Sequence, residues 1–320
     1  MVIDNLAAVL PADRLVRDPD VVRGFAHDEA EWAPYALPSV VVRPRSAEET
    51  RLVVRECVRT GTPLVTRGAG TGLSGGANAV DGCVVLVTDQ LTAIREINPV
   101  ERLAVVEPGV VNDELRRAAA AHGLWYPPDP ASSPWSTIGG NVATNAGGVC
   151  CVKYGVTGDY VLGMQVVTGT GELVRLGRRT AKGVAGYDLA ALMVGSEGTL
   201  GVITEITLRL RGQRAPERTV AGYFSSIVAA GEAAAAIVAS GVVPSALELV
   251  DRHGLRAVDA WKHMGLSVDA DVVLLGRTDA PGATGEHEAD TMLACFERAG
   301  ATWSARSSDQ AEADALFAAR

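Results

Sequence analysis

The twelve residues Arg67–Asn78, R-G-A-G-T-G-L-S-G-G-A-N, restrict the possible folds of this chain more than any other stretch. They hold five glycines, two hydroxyl side chains and one cation, and they follow a short apolar run, Pro63–Thr66, that reads as a strand. With so few side chains the backbone N–H groups lie bare, and glycine admits the positive φ angles that turn several donors toward one point. Such a stretch is an anion cradle. A hairpin turn needs one or two glycines rather than five. The Rossmann fingerprint can be spelled at Gly70, Gly72 and Gly75, yet no helical pattern opens behind it and no acidic residue ends a strand about 20 positions on. The run therefore predicts a pyrophosphate held in another fold.

At 320 residues the chain has length for two domains. Apolar residues make up 48% and charged residues 21%, the balance of a chain that buries a core in water. A net charge of −9 with no basic run argues against nucleic acid as a partner, because phosphates would be repelled. Apolar runs such as Val84–Val87 and Ala233–Ala239 fall short of the roughly 20 residues that a membrane helix needs. The N-terminus has no basic region followed by an apolar core, so a cytoplasmic protein is expected. Cys57, Cys83, Cys150, Cys151 and Cys295 show no C-x-x-C spacing, which predicts reduced thiols and neither a disulfide framework nor a zinc site.

Along the chain, residues 1–35 offer a short amphipathic start, and Asp28, Glu29 and Glu31 read as a solvated acidic face. Ser39–Arg43 is a β-branched strand. Ser46 then caps a helix that runs to Thr60, with Glu49 placed to close a capping box and Gly61 to end the helix. Cys83–Val87 and Leu103–Glu107 read as strands, separated by the Asn98–Pro99 turn signal. A helix over Asp113–Ala121 closes at His122–Gly123. Tyr126–Gly148 reads as an extended loop, stiffened by prolines and rich in small donors suited to close approach of a polar cofactor. In Lys182–Thr204 an apolar segment is broken by G-S-E-G-T-L-G and resumes as a strand, Val202–Leu210. There Ile203, Glu205, Thr207 and Arg209 alternate against Val202, Ile206 and Leu208. Three Gly-rich loops on separate strands imply one extended ligand touched in three places.

Past Gly212–Pro216 alanine rises and the glycine loops stop, which divides the chain into residues 1–214 and 215–320. The second part alternates Thr219–Phe224, Ser226–Ala239, Ala246–Val250, Leu255–His263, Val272–Arg277 and Glu286–Arg298. A last amphipathic stretch, Asp309–Ala319, meets Arg320 without a cap or stop signal.

Five motifs in register carry a resemblance: R-G-A-G-T-G-L-S-G-G-A, P-P-D-P-A-S-S, T-I-G-G-N-V-A-T-N-A-G-G, K-Y-G-V-T-G-D-Y and G-S-E-G-T-L-G-V-I-T. Over about residues 35–215 they resemble the FAD-binding domain of the FAD-linked oxidases of the vanillyl-alcohol-oxidase, or PCMH-type, class. The branch most resembled is that of the glycolate oxidase catalytic subunit and D-lactate dehydrogenase, and V-P-S-A-L-E-L-V-D at Val243–Asp251 extends the likeness into that branch's cap domain. The resemblance implies an α+β chain. A PCMH-type FAD-binding domain of two α+β subdomains would be followed by part of a ferredoxin-like α+β cap.

Carried over motif by motif, the resemblance assigns Arg67, Gly68, Ala69, Gly70, Thr71, Gly72, Gly76 and Ala77 to the pyrophosphate end of the FAD site. Asp129, Ser132, Ser133, Thr137, Gly139, Gly140, Thr144, Asn145 and Gly148 would line the ribityl chain and flavin. Glu197, Gly198, Gly201 and Ile203 would complete the nucleotide pocket. Some members of the class tether the flavin through a His where this chain has Thr71, which implies noncovalent FAD. The terminal L-F-A-A-R resembles an L-W-x-x-R segment whose arginine grips the substrate carboxylate, a role that would fall to Arg320.

The departures count as well. The branch carries a G-D-G-N-type motif and an E-H-G-type motif that supply metal ligands and a base. Neither occurs in these 320 residues, so a C-terminally truncated member is expected, with negligible turnover on its own. His27, His122, His253, His263 and His287 lie outside any such pattern, so no catalytic residue and no metal ligand is assigned. The implied activity is oxidation of a D-2-hydroxy acid, glycolate or D-lactate in type, to the 2-oxo acid by hydride transfer to flavin N5. Electrons would pass to a quinone or an iron–sulfur partner subunit. Two alternatives remain open, a noncatalytic FAD-binding relay subunit and another flavin reaction on this fold, such as enolpyruvyl-sugar reduction.

Overall fold

In the computed structural model, which describes residues 2–180, 182–267 and 269–318, the chain forms two units. One comprises Met1–Gly148 and Val156–Gln213, the other Val149–Gly155 and Arg214–Arg320. The first unit begins with α1 (Val2–Val9), β1 (Leu15–Val16), α2 (Pro19–Arg23), β2 (Val40–Val42), α3 (Ala47–Thr60), β3 (Leu64–Arg67) and β4 (Val84–Val87). These strands form a sheet in the order β1-β2-β4-β3, with β2 and β3 both parallel to β4. The runs Val40–Val42 and Val84–Val87 are apolar without alternation because both faces of the sheet are covered. Leu6, Val53, Val54 and Cys57 pack on one side, Val22 and Ala79 on the other. Burial pushes the Cys57 thiol up to about 12.

Helix α3 shows where local rules hold and where they yield. Ser46 Oγ accepts from the Glu49 N–H at 3.0 Å, and Gly61 stops the helix at φ +63°. The Glu49 carboxylate does not return to Ser46, as a capping box requires. It accepts instead from the Arg45 N–H at 2.7 Å and from Arg14 Nε at 2.8 Å. The Arg45 amide and a charged partner brought in from the N-terminal segment together take the place of the Ser46 amide.

The chain continues through β5 (Ile94–Asn98), β6 (Leu103–Val106), α4 (Asn112–Ala120), β7 (Leu124–Trp125), α5 (Ile138–Thr144), α6 (Cys151–Tyr154), β8 (Val161–Thr168), β9 (Leu173–Gly177), α7 (Leu189–Met193), β10 (Gly201–Arg209) and β11 (Arg211–Gly212). An antiparallel sheet in the order β5-β6-β10-β8-β9 forms the second half of the first unit. Its core gathers Val106, Leu115, Tyr126, Ile138, Val166 and Ile206. Ile203 is buried despite lying in the polar register of β10. A shift in pairing with β8 between Ile203 and Glu205 turns it inward, as a bulge does.

The second unit holds α6 together with β12 (Arg218–Phe224), α8 (Ile227–Ala239), β13 (Ala246–Asp251), α9 (Arg252–Lys262), β14 (Val272–Thr278), α10 (Gly282–Arg298), β15 (Trp303–Arg306) and α11 (Gln310–Phe317). Its antiparallel sheet runs β13-β14-β12-β15, the ferredoxin-like strand order, with α9 added between its second and third strands. Ser226, Asp251 and Asp309 cap α8, α9 and α11 through their side-chain oxygens. The short α6 joins this unit because Lys153 Nζ donates to Asp279 Oδ1 at 2.5 Å, where the Asp279 side chain is almost fully buried. Tyr154 also donates to that carboxylate. Among the described residues no helix is long and apolar enough to cross a membrane.

Candidate cofactor cleft

Strand β3 delivers the glycine run to the floor of a cleft of about 470 Å³ in the first unit. Gly70 and Gly75 take φ +81° and +80°, the left-handed region that a side chain resists. Among the described residues, no backbone N–H from Gly68 to Gly76 donates to a protein acceptor. Bare amides in such number are costly unless water or a ligand meets them. After the run the chain enters β4 and not a helix, which separates this loop from the Rossmann type.

The loop is held from outside by Ala26–Ala30. The Glu29 N–H donates to the Gly72 carbonyl at 3.0 Å and the Ala79 N–H to the Ala26 carbonyl at 2.8 Å. The Asp28 N–H donates to Asn78 Oδ1 at 2.8 Å, and Asp28 Oδ2 accepts from the Ala77 N–H at 3.4 Å. Glu29 and Glu31 are exposed, but Asp28 is only 5% exposed and lines the cleft, so the expected solvated acidic face does not include it. No local sequence signal marks Asp28. Its role comes from contacts some 50 residues away.

The second wall is the segment that had read as an extended loop. It contains helix α5, whose N-cap Thr137 accepts from the Gly140 N–H at 3.3 Å. Asn141 of α5 lines the cleft and joins a buried chain, accepting from Asn112 Nδ2 at 2.9 Å and donating to Ser136 Oγ at 3.2 Å. A Cβ on Gly68 would stand 2.6 Å from Thr137 Oγ1, so the cradle and α5 meet only because Gly68 has none. The third wall is Ser196–Gly198 with Gly201 and Ile203. Glu197 is held at φ +50°, donates its N–H to the Ala143 carbonyl at 2.8 Å, and sets its carboxylate where a Cβ on Gly76 would fall.

Of the residues expected at the site, Gly68–Gly72, Gly76, Ala77, Ser132, Thr137, Gly139, Gly140, Thr144, Asn145, Glu197, Gly198, Gly201 and Ile203 line this cleft. Arg67, Asp129, Ser133 and Gly148 do not. Arg67 passes its guanidinium behind Gly70 and donates from Nη1 to the His27 carbonyl at 2.7 Å. Burial draws that guanidinium below its ordinary value, while Asp28 and Glu29 oppose the shift. The Ser133 carbonyl accepts from the Asp113 N–H at 3.1 Å, at the start of α4. Asp129 and Gly148 press on each other, with no room for a side chain on Gly148. Arg320 lies outside the described residues. Thr66, Thr88, Pro108 and Asn141 line the cleft without having been expected there.

Comparison with known proteins agrees with this geometry. Residues 38–177 match the family described as FAD binding domain, and residues 214–320 the family described as FAD linked oxidases, C-terminal domain. The chain is 40% identical over 303 residues to the glycolate oxidase subunit GlcD of Escherichia coli (strain K12), covering 92% of this chain and 60% of that protein. It is 38% identical over 285 residues to GlcD of Bacillus subtilis (strain 168), covering 89% and 61%. It is 42% identical over 208 residues to a D-lactate dehydrogenase of Anaerostipes hadrus, covering 65% and 43%. The chain thus spans 60–61% of the length of the GlcD relatives. Among solved structures, p-cresol methylhydroxylase with substrate bound superposes with a TM-score of 0.80 at 16% identity, covering 99% of this chain and 68% of that one. An alkyldihydroxyacetonephosphate synthase does so with 0.82 at 21%, covering 99% and 66%. At such identities these two establish the fold alone. With both family domains present in order, on this fold and around this cleft, the chain belongs to the FAD-linked oxidases, the PCMH-type flavoproteins whose cofactor is FAD.

Proposed function

We propose that the cleft holds FAD noncovalently, with its pyrophosphate on the Gly68–Gly76 amides, and that the protein uses it to oxidise a D-2-hydroxy acid to the 2-oxo acid. The observation that carries the binding reading is the run of amides without a protein acceptor, which suits two phosphates that each need several donors. Ser132, Thr137, Thr144 and Asn145 offer hydroxyl and amide groups on the facing wall for the ribityl and ribose hydroxyls. When bound, FAD supplies the two-electron acceptor. The substrate class is supported by the relatives, which are named for glycolate, D-lactate and D-2-hydroxyglutarate. Two of them are named as subunits, which supports an assembly that passes electrons to an iron–sulfur partner or a quinone.

The test is anaerobic mixing of the FAD-loaded protein, expressed from its complete reading frame, with glycolate, D-lactate or D-2-hydroxyglutarate. Bleaching of the flavin absorbance by glycolate, or by a D-acid and not by its L-enantiomer, is the expected result. Reduction by dithionite but by none of the acids would overturn the reaction while leaving the cofactor in place. The Arg320 clamp belongs to the same proposal. A planar fork sets two parallel bonds to a carboxylate, which a lysine lacks. Arg320→Lys should therefore lose hydroxy-acid turnover by at least about tenfold while dithionite reduction stays intact.

A further inference from the structure

The K-Y-G-V-T-G-D-Y motif, Lys153–Tyr160, contributes no residue to the lining of the cleft. It opens on an excursion of the chain, which leaves the first unit after Gly148, spends Val149–Gly155 in the second and returns at Val156. Both feet of this excursion stand on the cleft wall. Asn145, Ala146 and Gly147 line the cleft just before it. Just after it, the Thr157 N–H and Oγ1 donate to the Ala146 carbonyl at 3.1 and 2.7 Å, and the Gly158 N–H donates to Asn145 Oδ1 at 2.8 Å. Thr157 is fully buried, so the returning foot is fixed.

The body of the excursion is α6, which buries none of its own four residues. It is gripped by Asp279, directly after β14, whose carboxylate accepts from Lys153 Nζ at 2.5 Å and from the Tyr154 hydroxyl. The Asp279 side chain is 1% exposed and that of Lys153 24%. A buried ion pair adds little net stability over apolar residues of similar volume, and its best attested use is to fix register or to switch. The chain thus runs from cleft-lining Gly147 to the end of β14, an inner strand of the second sheet, through α6 and this ion pair.

We propose that α6 is a coupling strap: flavin in the cleft fixes Asn145–Gly147, and fixing them holds α6 docked on Asp279. Undocked, the strap lets its feet move and the cleft wall loses its shape. Docked, the wall and the end of β14 are ordered together. FAD binds the docked state better and shifts the population toward it, and by linkage docking tightens FAD by the same factor. The strap thereby orders the unit that matches the oxidase C-terminal domain when the cofactor is in place. This inference rests on the FAD reading above.

The experiment follows amide exchange by mass spectrometry in protein expressed from its complete reading frame, with and without FAD. FAD should slow exchange in the Gly68–Gly76 run, and also in α6 and at the end of β14 by about fivefold or more. Slowing confined to the first unit overturns the strap, and this arm needs no variant. Asp279→Asn removes the charge pair and keeps the side-chain volume. There FAD should still slow exchange in the glycine run, while α6 and β14 no longer respond and FAD binds more weakly by the factor lost at α6. Lys153→Gln, made at the partly exposed end of the pair, should lose the response in the same way. Exchange in α8 reads whether the second unit of each variant is folded. Either variant, so folded, with β14 still responding to FAD overturns the proposal. Native protein in which FAD slows exchange nowhere overturns the cofactor reading itself, and this inference with it.

Discussion

At the residue scale the cradle depends on what is missing from its glycines. The direction a Cβ would take from Gly70 runs into the Arg67 guanidinium and not toward the open amides. A side chain there would therefore displace a buried cation as well as force φ +81° on a residue that resists it by roughly 1–2 kcal/mol. Gly70→Val should lower the melting temperature and abolish flavin uptake. Full flavin content with an unchanged melt would remove the cradle from this account. Thr71, which lines the cleft, leads to a separate expectation. A threonine hydroxyl does not take the place of the tethering imidazole, so acid precipitation of the loaded protein should leave yellow flavin in the supernatant. Colour in the pellet would show a covalent bond.

At the scale of elements, two ion clusters fasten strands and helices that the backbone alone would leave loose. Arg277 of β14 donates to Glu217 at 2.7 Å, to Thr219 Oγ1 at 3.0 Å, and to the Ala313 carbonyl and Asp314 of α11 at 3.0 and 2.8 Å. It also lies 3.9 Å from the Phe317 ring centroid. This buried side chain, together with Thr219 Oγ1 donating to the Ala313 carbonyl at 2.8 Å and the Glu217 N–H donating to Gln310 at 3.0 Å, ties α11 to the sheet. Arg277→Met would leave Glu217 without that partner and should cost about 3–5 kcal/mol. Amide exchange in α11 should accelerate far more than in α8, and equal protection in both helices would contradict the tether. In the first unit, hydrogen bonds from Arg179, aided by Asn98, hold the Glu96 carboxyl at about 2, below its ordinary 4.5. Because the folded value is depressed, its contribution to stability is present above pH 4.5 and fades as pH falls through about 2. An NMR titration of Arg179→Ala should return Glu96 toward 4.5, and an unmoved titration would place the cause elsewhere.

For the whole molecule, cofactor binding and stability are linked. A ligand that binds only the folded state at a hundred times its dissociation constant stabilises by about 2.7 kcal/mol. Calorimetry with excess FAD should therefore raise the transition of the unit that carries the cleft. In Gly70→Val the same addition should leave that transition where it was. A shift of equal size in both proteins would mean that FAD acts outside the cradle.

Much of the site was legible in the sequence because its chemistry is local. Glycine content, small hydroxyls and the order of the loops are properties of short windows, and Gly68–Gly72, Thr137 and Gly198 line one cleft as those windows imply. Helix α3 likewise begins and ends on its own caps. Strands β5, β8, β9 and β15 are not legible in the sequence: β5 and β9 are half-exposed edge strands, and β8 and β15 are fixed by β10 and β12 far along the chain. Helix α5 escaped notice because its two glycines mimic a loop. Sequence by itself determined that this run bares its amides and takes positive φ angles, because five glycines leave few side chains to cover them. Only the tertiary structure decided that Arg67 turns behind the loop, that Asp28 is buried at its edge, and that Lys153 ties α6 to Asp279. Each of these outcomes is a contact across 40 or more residues, where burial and charge pairing override what neighbouring residues prefer.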